Sequence, residues 1–342
     1  MDELFETRAL IGVANQVPSA GAFLQKMFFK QEITSDSEHV DIVVQKGKRK
    51  LAPFVSPKIQ GKVVTTAKKT INSYKPAYIK DKWVTEAVDV ITNSNTVFYA
   101  DAQNVAQRVA QKVTEEIQEK KENVIRRIEW MASKVLTTGK VEVKGDGIDD
   151  VIDFNFDASQ IVVLGDDTWD NDDVNPINMM RKWRRERIQA GGIAPNVAVF
   201  GSDVIDAFLN NPNVKEALDL RRVDRGMIDP QLLPEGVTYY GYIKEIGTDI
   251  YGYDEWYIDD NGVEQPMVPT KGVIYGSTNA KGKRVYGAIK DLKAIGNSSL
   301  IATKFFVKSW EVEDPSARYI LIQSAPLVVP TIVDAFMFAT VL

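Results

Sequence analysis

The residues best suited to chemistry form an acidic run, Asp166-Asp167-Thr168-Trp169-Asp170-Asn171-Asp172-Asp173. Carboxylates of this kind hold divalent cations, so the run would suit a metal-dependent hydrolase. A calcium-binding loop, however, has oxygens at alternating positions, a central glycine and a glutamate at its twelfth position, whereas here Gly165 precedes the acids. We therefore interpret the run as a solvated loop whose negative charge caps the helix that follows. A hydrolase using Asp166–Asp173 is kept as an alternative function.

Other catalytic constellations are missing from the sequence, which has 342 residues, one histidine and no cysteine. The lack of cysteine excludes disulfides and thiolate metal sites, and a lone histidine gives little support to a catalytic triad or a zinc site. His39 is expected at the surface, at the start of a strand. The sequence has no Walker A motif and no Gly-x-Ser-x-Gly elbow. The chain is therefore predicted not to be an enzyme, with no cofactor and no bound metal.

The formal net charge of −5 combines two opposite blocks. Residues 44–83 contain 11 lysines and arginines against one acid, Asp81, and residues 142–173 contain 11 acids against one base, Lys144. Aromatic residues lie between the lysines, as in proteins that bind single-stranded nucleic acid, and a merely solvated loop is a further interpretation. Because the same chain carries a compensating acidic block, we favour contact between copies of the chain.

One very long helix is the clearest element that could position these blocks. Apolar residues recur at spacings of three, four or seven: Val105, Val109, Val113, Ile117, Val124, Ile128, Met131 and Val135. This spacing predicts a helix over residues 101–137, with Asp101 as N-cap and Gly139 just beyond its end. At 1.5 Å per residue, such a helix is about 50 Å long.

The segments around this helix differ in character. Residues 1–30 predict an irregular arm whose apolar anchors must be buried outside the arm itself, and residues 38–86 predict a long two-stranded excursion. Residues 139–165 predict a hairpin. After Pro176 the pattern becomes α/β, beginning with a helix whose basic residues 181–187 are expected to face solvent. Prolines interrupt the apolar C-terminal run, which indicates strands and turns instead of a membrane span.

Several short motifs, in this order, carry a resemblance to a known family. They are Phe28-Phe29, Val55-Ser56-Pro57 followed by Gly61, Tyr275-Gly276-Ser277-Thr278-Asn279-Ala280 running into Arg284-Val285-Tyr286-Gly287, and Asp314-Pro315-Ser316-Ala317-Arg318 followed by Ile322-Gln323-Ser324-Ala325-Pro326-Leu327. With the order of arm, β excursion, long helix, hairpin and α/β part, the chain resembles the lambda-type major capsid protein (E protein) family of tailed double-stranded DNA phages.

The resemblance implies an α+β fold, the tailed-phage major capsid (HK ninety-seven) fold. It implies an N-terminal arm at 1–40, an E-loop at 41–86, a P-domain at 87–165 and 285–325 with the spine helix, and an A-domain at 166–284 and 326–342. It further implies hexamers and pentamers of an icosahedral procapsid and virion shell, which encloses double-stranded DNA without sequence-specific binding.

The same resemblance implies several partners. A separate scaffolding protein is expected during assembly in the host cytoplasm, unless a fused segment has been cleaved. A portal is expected at one vertex, and a decoration protein is compatible with this type of shell. No membrane is expected to take part. An encapsulin-like compartment that stores a cargo enzyme is the alternative within the same fold.

Contacts between subunits are predicted from the charge blocks placed on this fold. The basic E-loop set would dock on a neighbouring subunit and consists of Lys46, Lys48, Arg49, Lys50, Lys58, Lys62, Lys68 and Lys69. The suggested acidic partner is the set Asp146, Asp149, Asp150 and Asp153 on the hairpin. Each exposed pair would contribute only about 0–1 kcal/mol, so that many pairs would set register and salt sensitivity.

Overall fold

The computed structural model describes residues 6–16, 22–46, 68–86, 102–145, 147–219, 226–233, 236–292, 300–313 and 317–342. The α-helices of these residues are α1 (Thr7–Gln16), α2 (Phe23–Phe28), α3 (Ala102–Thr138), α4 (Pro176–Gly191), α5 (Ser202–Asn210) and α6 (Pro212–Asp219). Within the same ranges, no helix combines the length and the hydropathy needed to cross a membrane. Helices and strands mix along the chain, which confirms the predicted α+β class.

The strands up to the start of the α/β part are β1 (Gln31–Thr34), β2 (Val40–Lys46), β3 (Lys68–Tyr74), β4 (Ile79–Glu86), β5 (Lys140–Gly145), β6 (Ile148–Asp153) and β7 (Ile161–Val163). The next are β8 (Val197–Phe200), β9 (Gly226–Leu232), β10 (Val237–Ile243), β11 (Thr248–Tyr253), β12 (Trp256–Ile258), β13 (Glu264–Pro266) and β14 (Gly272–Gly276). The last are β15 (Lys283–Tyr286), β16 (Ile289–Lys290), β17 (Leu300–Ile301), β18 (Phe306–Val312), β19 (Ala317–Ser324), β20 (Pro326–Val329) and β21 (Met337–Thr340).

The predicted long helix is confirmed as α3, with 37 residues. Its buried positions include Val113, Ile117, Val124 and Ile128, which are residues of the predicted apolar spacing. The helix stops at Gly139, whose φ of 69° belongs to the left-handed region. A side chain at Gly139 would also collide with the ring of Phe156, 2.7 Å from the position of a Cβ. Glycine is therefore required there for both reasons.

A mixed seven-stranded sheet in the order β7-β21-β14-β8-β11-β10-β9 forms the centre of the α/β part. Its strand β8 is buried on both faces. Val197 and Val199 face a core that includes α3 and the arm, while Ala198 and Phe200 face a second core that includes α4 and α5. Alternate residues of one strand thus join the two hydrophobic cores found among the described residues.

The arm is packed onto the first core. Leu10 and Ala14 of α1, and Leu24 and Phe28 of α2, are almost completely buried within that cluster. The apolar anchors of the N-terminal segment are therefore buried outside the segment, as the sequence predicts. Burying such side chains is the main favourable contribution to docking, at about 1.5–3 kcal/mol for each large one.

Smaller sheets and hairpins surround these cores. Two three-stranded sheets have the orders β1-β15-β20 and β18-β19-β4. Antiparallel pairs form between β2 and β3, β5 and β6, β12 and β13, and β16 and β17. The predicted hairpin after the long helix is confirmed as β5–β6. The apolar C-terminal run forms the strands β19, β20 and β21, as predicted. The limits of the arm, E-loop, P-domain and A-domain remain predictions.

Candidate assembly surfaces

The described part of the basic set lies at the outer end of the β2–β3 hairpin. Lys46 is directly opposite Lys68, and Lys69 is opposite Gln45. The other members of the set, Lys48, Arg49, Lys50, Lys58 and Lys62, lie outside the described residues.

The inner end of this excursion is fixed to the body of the protein. Val40 and Ile42 of β2 are buried in the first core. On β4, Trp83 donates a hydrogen bond from Nε1 to Glu116 of α3, and Asp81 accepts one from Asn123 Nδ2 at 3.3 Å. The start of β2 is therefore fixed in the first core, and β4 is tied to the long helix.

The acidic set lies on the β5–β6 hairpin, except that Asp146 is outside the described residues. Asp149 and Asp150 are exposed, whereas Asp153 forms an ion pair with Lys140 at 2.9 Å. The ion pair of Lys144 with Glu142, at 2.8 Å, lowers the pKa of the Glu142 carboxyl through its hydrogen bond and positive charge. Asp149 and Asp150 are thus the exposed acids of β6 near the turn. Asp149 lies opposite Lys144, and Asp150, as the next residue, lies on the other face of the hairpin.

The acidic run at 166–173 forms a loop, and its carboxylates are mostly exposed. The expectation that these acids cap the next helix is wrong in detail, because Asn175 is the N-cap of α4 and accepts from Asn178 N at 3.0 Å. The loop is held instead by Asn211, whose Nδ2 donates to the carbonyl oxygens of Trp169, Asn171 and Val174. No group of three metal-ligating side chains occurs among the residues that the structure describes.

The predicted solvent-facing basic stretch of α4 also needs a correction. Its inner face contains Ile177, Met180, Trp183 and Arg187, so one of the basic residues expected in solvent is buried. Arg187 donates from Nη2 to Ser159 Oγ at 3.0 Å, and burial lowers its pKa. Position 187 is four residues after the buried Trp183, so helical spacing could have predicted that Arg187 is buried. The charge of an arginine, taken alone, predicts the opposite.

A buried carboxylate on α3 joins the arm to the long helix and to the seven-stranded sheet. Glu129 is 1% exposed. It accepts hydrogen bonds from the backbone N–H groups of Leu24 at 2.6 Å and Gln25 at 3.2 Å, in the first turn of α2. It also accepts one from the hydroxyl of Tyr253 at 3.2 Å. Burial is the main cause that raises the pKa of Glu129 to about 7. Sequence reasoning missed this residue because an isolated glutamate on a helix normally faces water.

An arginine on β15 also holds the arm in place through hydrogen bonds. Arg284 Nε donates to Phe29 O at 3.0 Å, and its Nη1 donates to Gln25 Oε1 at 3.3 Å. The same guanidinium forms an ion pair with Glu32 at 2.9 Å. Arg284 belongs to one of the motifs quoted above, and in this fold it holds the carboxyl end of α2.

Gly282, two residues before Arg284, lies where the arm approaches the backbone closely. A Cβ there would lie 2.4 Å from Phe28 O and 2.6 Å from the ring of Phe29. Gly282→Ala should therefore displace the arm and lower the free energy of unfolding by about 1–3 kcal/mol, measured by urea denaturation. Gly12→Ala is the matched control, because a Cβ at Gly12 in α1 meets nothing within 4 Å and alanine should stabilise that helix by about 0.5–1 kcal/mol. Equal stability changes for the two substitutions would contradict this account.

The sequence is similar to those of known proteins over nearly its whole length. The sequence profile of the family described as phage major capsid protein E matches residues 6–341. The chain is 25% identical to the P21 prophage-derived major head protein of Escherichia coli O6:H1, over 99% of both chains. It is also 25% identical to the major capsid protein of Escherichia phage lambda, over 98% of both chains.

A crystal structure of a prophage capsid protein from Escherichia coli CFT073 has the same fold. The TM-score is 0.74 at 21% sequence identity, covering 98% of this chain and 99% of that one. Because the relatives are named as major capsid and major head proteins, the hydrolase and the encapsulin-like compartment are not favoured. The match over nearly the whole chain shows that this protein belongs to the phage major capsid protein E family and is a structural, non-enzymatic protein of a tailed-phage capsid with the HK ninety-seven fold.

Proposed function

We propose that this chain builds the hexamers and pentamers of an icosahedral shell that encloses double-stranded phage DNA. The observation that carries the proposal is the outer end of the β2–β3 hairpin, where lysine lies opposite lysine beside a segment that is itself rich in lysine and arginine. Such a positive end is stabilised by an acidic surface on another molecule. A copy of the same chain offers one at Asp149 and Asp150, which are exposed.

The proposed contact is heterologous, because the hairpin of one subunit meets a different surface of the next. Contacts of this head-to-tail kind generate closed rings when the rotation between copies closes. Hexamers and pentamers then differ in that rotation, while the contact itself is retained. The net charge of −5 suits a coat that encloses DNA without gripping it.

Further partners belong to the same proposal. A scaffolding protein would act during assembly in the host cytoplasm, a portal would occupy one vertex, and a decoration protein would bind the outside of the virion shell. These partners are supported by the family to which the chain belongs.

Electron microscopy of the purified protein tests the proposal most directly. Under assembly conditions we expect capsomers or closed shells, and particles isolated from infected or induced cells should contain double-stranded DNA. A clean monomer under the same conditions would contradict self-assembly. Closed particles that contain a cargo enzyme in place of DNA would favour the encapsulin-like alternative instead.

A further inference from the structure

We infer that Glu129 is a proton-controlled latch for the arm: protonation of its carboxyl favours docking of residues 22–29 on α3, and ionisation favours their release. The contacts that define the latch join three segments far apart in the sequence, namely α2, α3 and the end of β11. This inference does not depend on which surfaces join neighbouring subunits, and so it stands apart from the proposed function.

The arm itself closes the site. Two of the hydrogen bonds that Glu129 accepts come from the backbone of α2, and the side chain of Gln25 donates to Ile125 O, one turn earlier on α3, at 3.1 Å. Leu24 and Phe28 bury their side chains in the adjoining core. When α2 leaves α3, Glu129 therefore loses the two backbone donors of α2 and the side chains that cover it, keeps the Tyr253 hydroxyl, and is exposed to water.

The groups that face Glu129 supply little positive charge. From α2 it meets Gln25, an amide. From the last residue of β11 it meets Tyr253, and from two residues beyond the strand it meets Glu255. Arg284 of β15 reaches the site only through the Gln25 amide. On α3, the neighbours one turn away are Ile125 and Ser133, which do not titrate. Burial is the main cause that favours the neutral acid in the docked site, and the charge of Glu255 adds to it. The hydrogen bonds that α2 donates favour the carboxylate and offset only part of this effect.

The single proton of the Tyr253 hydroxyl also favours a protonated carboxyl at this site. The hydroxyl of Tyr253 lies within hydrogen-bonding distance of both Glu129 and Glu255. A tyrosine hydroxyl has one proton, so it can donate to only one of two ionised carboxylates at a time. A proton on either carboxyl supplies the missing donor and relieves the repulsion between the two acids. Docking of the arm buries this carboxyl pair, so Glu129 binds the proton more tightly when the arm is docked than when it is released.

The direction of the pH effect follows from this difference. In the docked state the pKa of Glu129 is about 7, against an ordinary value of 4.5. A group with a raised pKa in one state stabilises that state at low pH, and the stabilisation is lost as the pH rises from the lower to the higher value. Docking of the arm should thus weaken by roughly tenfold to hundredfold between about pH 5 and about pH 8, and change little above that.

Hydrogen exchange of the full chain, followed by mass spectrometry, tests the latch. Protection of residues 22–29, corrected for the intrinsic exchange rate at each pH, should fall across this range relative to protection of β8. Glu129→Gln should remove the pH dependence, because an amide does not titrate. Glu119→Gln, on the same helix at an exposed position, should leave it unchanged. Constant relative protection in the unmodified chain would overturn the inference, as would an unchanged pH dependence in Glu129→Gln.

A second variant covers the case in which Glu129→Gln does not fold. Glu255→Gln keeps a hydrogen-bonding group beside Tyr253 but removes the charge that opposes ionisation of Glu129. The midpoint of the protection change should therefore move to lower pH. A midpoint that stays in place, or that moves to higher pH, would show that this carboxyl pair does not control the arm.

Discussion

Replacing Trp169 by alanine is expected to lower the free energy of unfolding by about 3–5 kcal/mol, the usual range for a large buried aromatic side chain. Trp169 is completely buried. Its ring stacks on Trp183 with centroids 6.1 Å apart and meets Phe200 and Phe208 at 5.6 and 5.7 Å. Alanine would remove all three contacts and leave a cavity in the middle of the second core. Urea denaturation of the unassembled protein measures the loss.

Two matched substitutions separate the packing of Trp169 from its polar atom. Among the described residues, no acceptor lies within hydrogen-bonding distance of the buried Nε1 of Trp169, so this N–H contributes a cost and no bond. Trp169→Phe keeps an aromatic ring and removes the unpaired donor, and it should cost less than about 1.5 kcal/mol. Trp256→Ala, at a side chain that is 42% exposed, should have a small effect. A Trp169→Ala variant as stable as Trp256→Ala would contradict the packing account.

Trp169 also shows where local sequence patterns mislead. It lies inside the acidic run 166–173, in which the acids suggest a cation site or a helix cap. The structure gives the run another role, because its tryptophan is buried in the second core and its backbone carbonyls are held by Asn211. The acids are then the solvated side of a loop whose position is set by one aromatic residue. Nothing local to the run distinguishes these roles, since the partners of Trp169 lie on α4, β8 and α5.

Elements with a strong internal repeat could be predicted well from the sequence. The apolar spacing of α3 and the glycines at its end and at the end of α4 are local signals, and Gly192 does adopt a left-handed φ of 75°. The antiparallel pairing of β5 with β6 follows from short-range alternation and a short turn between the two strands. In each case the physical determinant lies within a few residues of the element itself.

Long-range pairings and buried charges could not be predicted in the same way. The seven-stranded sheet brings β7 beside β21, from opposite ends of the α/β part, and no pattern within either strand specifies that neighbour. Glu129 and Arg187 are buried because separate segments supply their hydrogen-bond partners. A single-element analysis places such charges in water, where most of them belong. The proposed contact surfaces, in contrast, could be predicted from the sequence alone, because a block of like charges is visible without knowledge of the fold.

Reversing the charge of the basic loop should prevent shell assembly. The substitutions Lys48→Glu, Arg49→Glu and Lys50→Glu place three acids where the proposed contact has three bases. One exposed ion pair contributes only about 0–1 kcal/mol, but reversal converts attraction into repulsion at every copy of the contact around a capsomer. We expect the triple variant to remain folded and to give capsomers or monomers in place of shells, as seen by negative-stain microscopy and sedimentation. Unmodified shells should also dissociate more readily as salt is raised, because salt screens exposed charges.

A compensating change decides whether the partner has been identified correctly. Asp149→Lys combined with Asp150→Lys puts positive charge on the exposed end of the β5–β6 hairpin, and by itself it should impair assembly as the loop reversal does. Combining it with the loop reversal restores opposite charges across the proposed contact, and shells should form again. Recovery in the combined variant would identify the loop and the hairpin as partners, since two unrelated defects would add. If the loop reversal alone gives normal shells with unchanged salt resistance, the loop does not dock through charge. If it blocks assembly and the combined variant does not recover, the acidic partner lies on another surface.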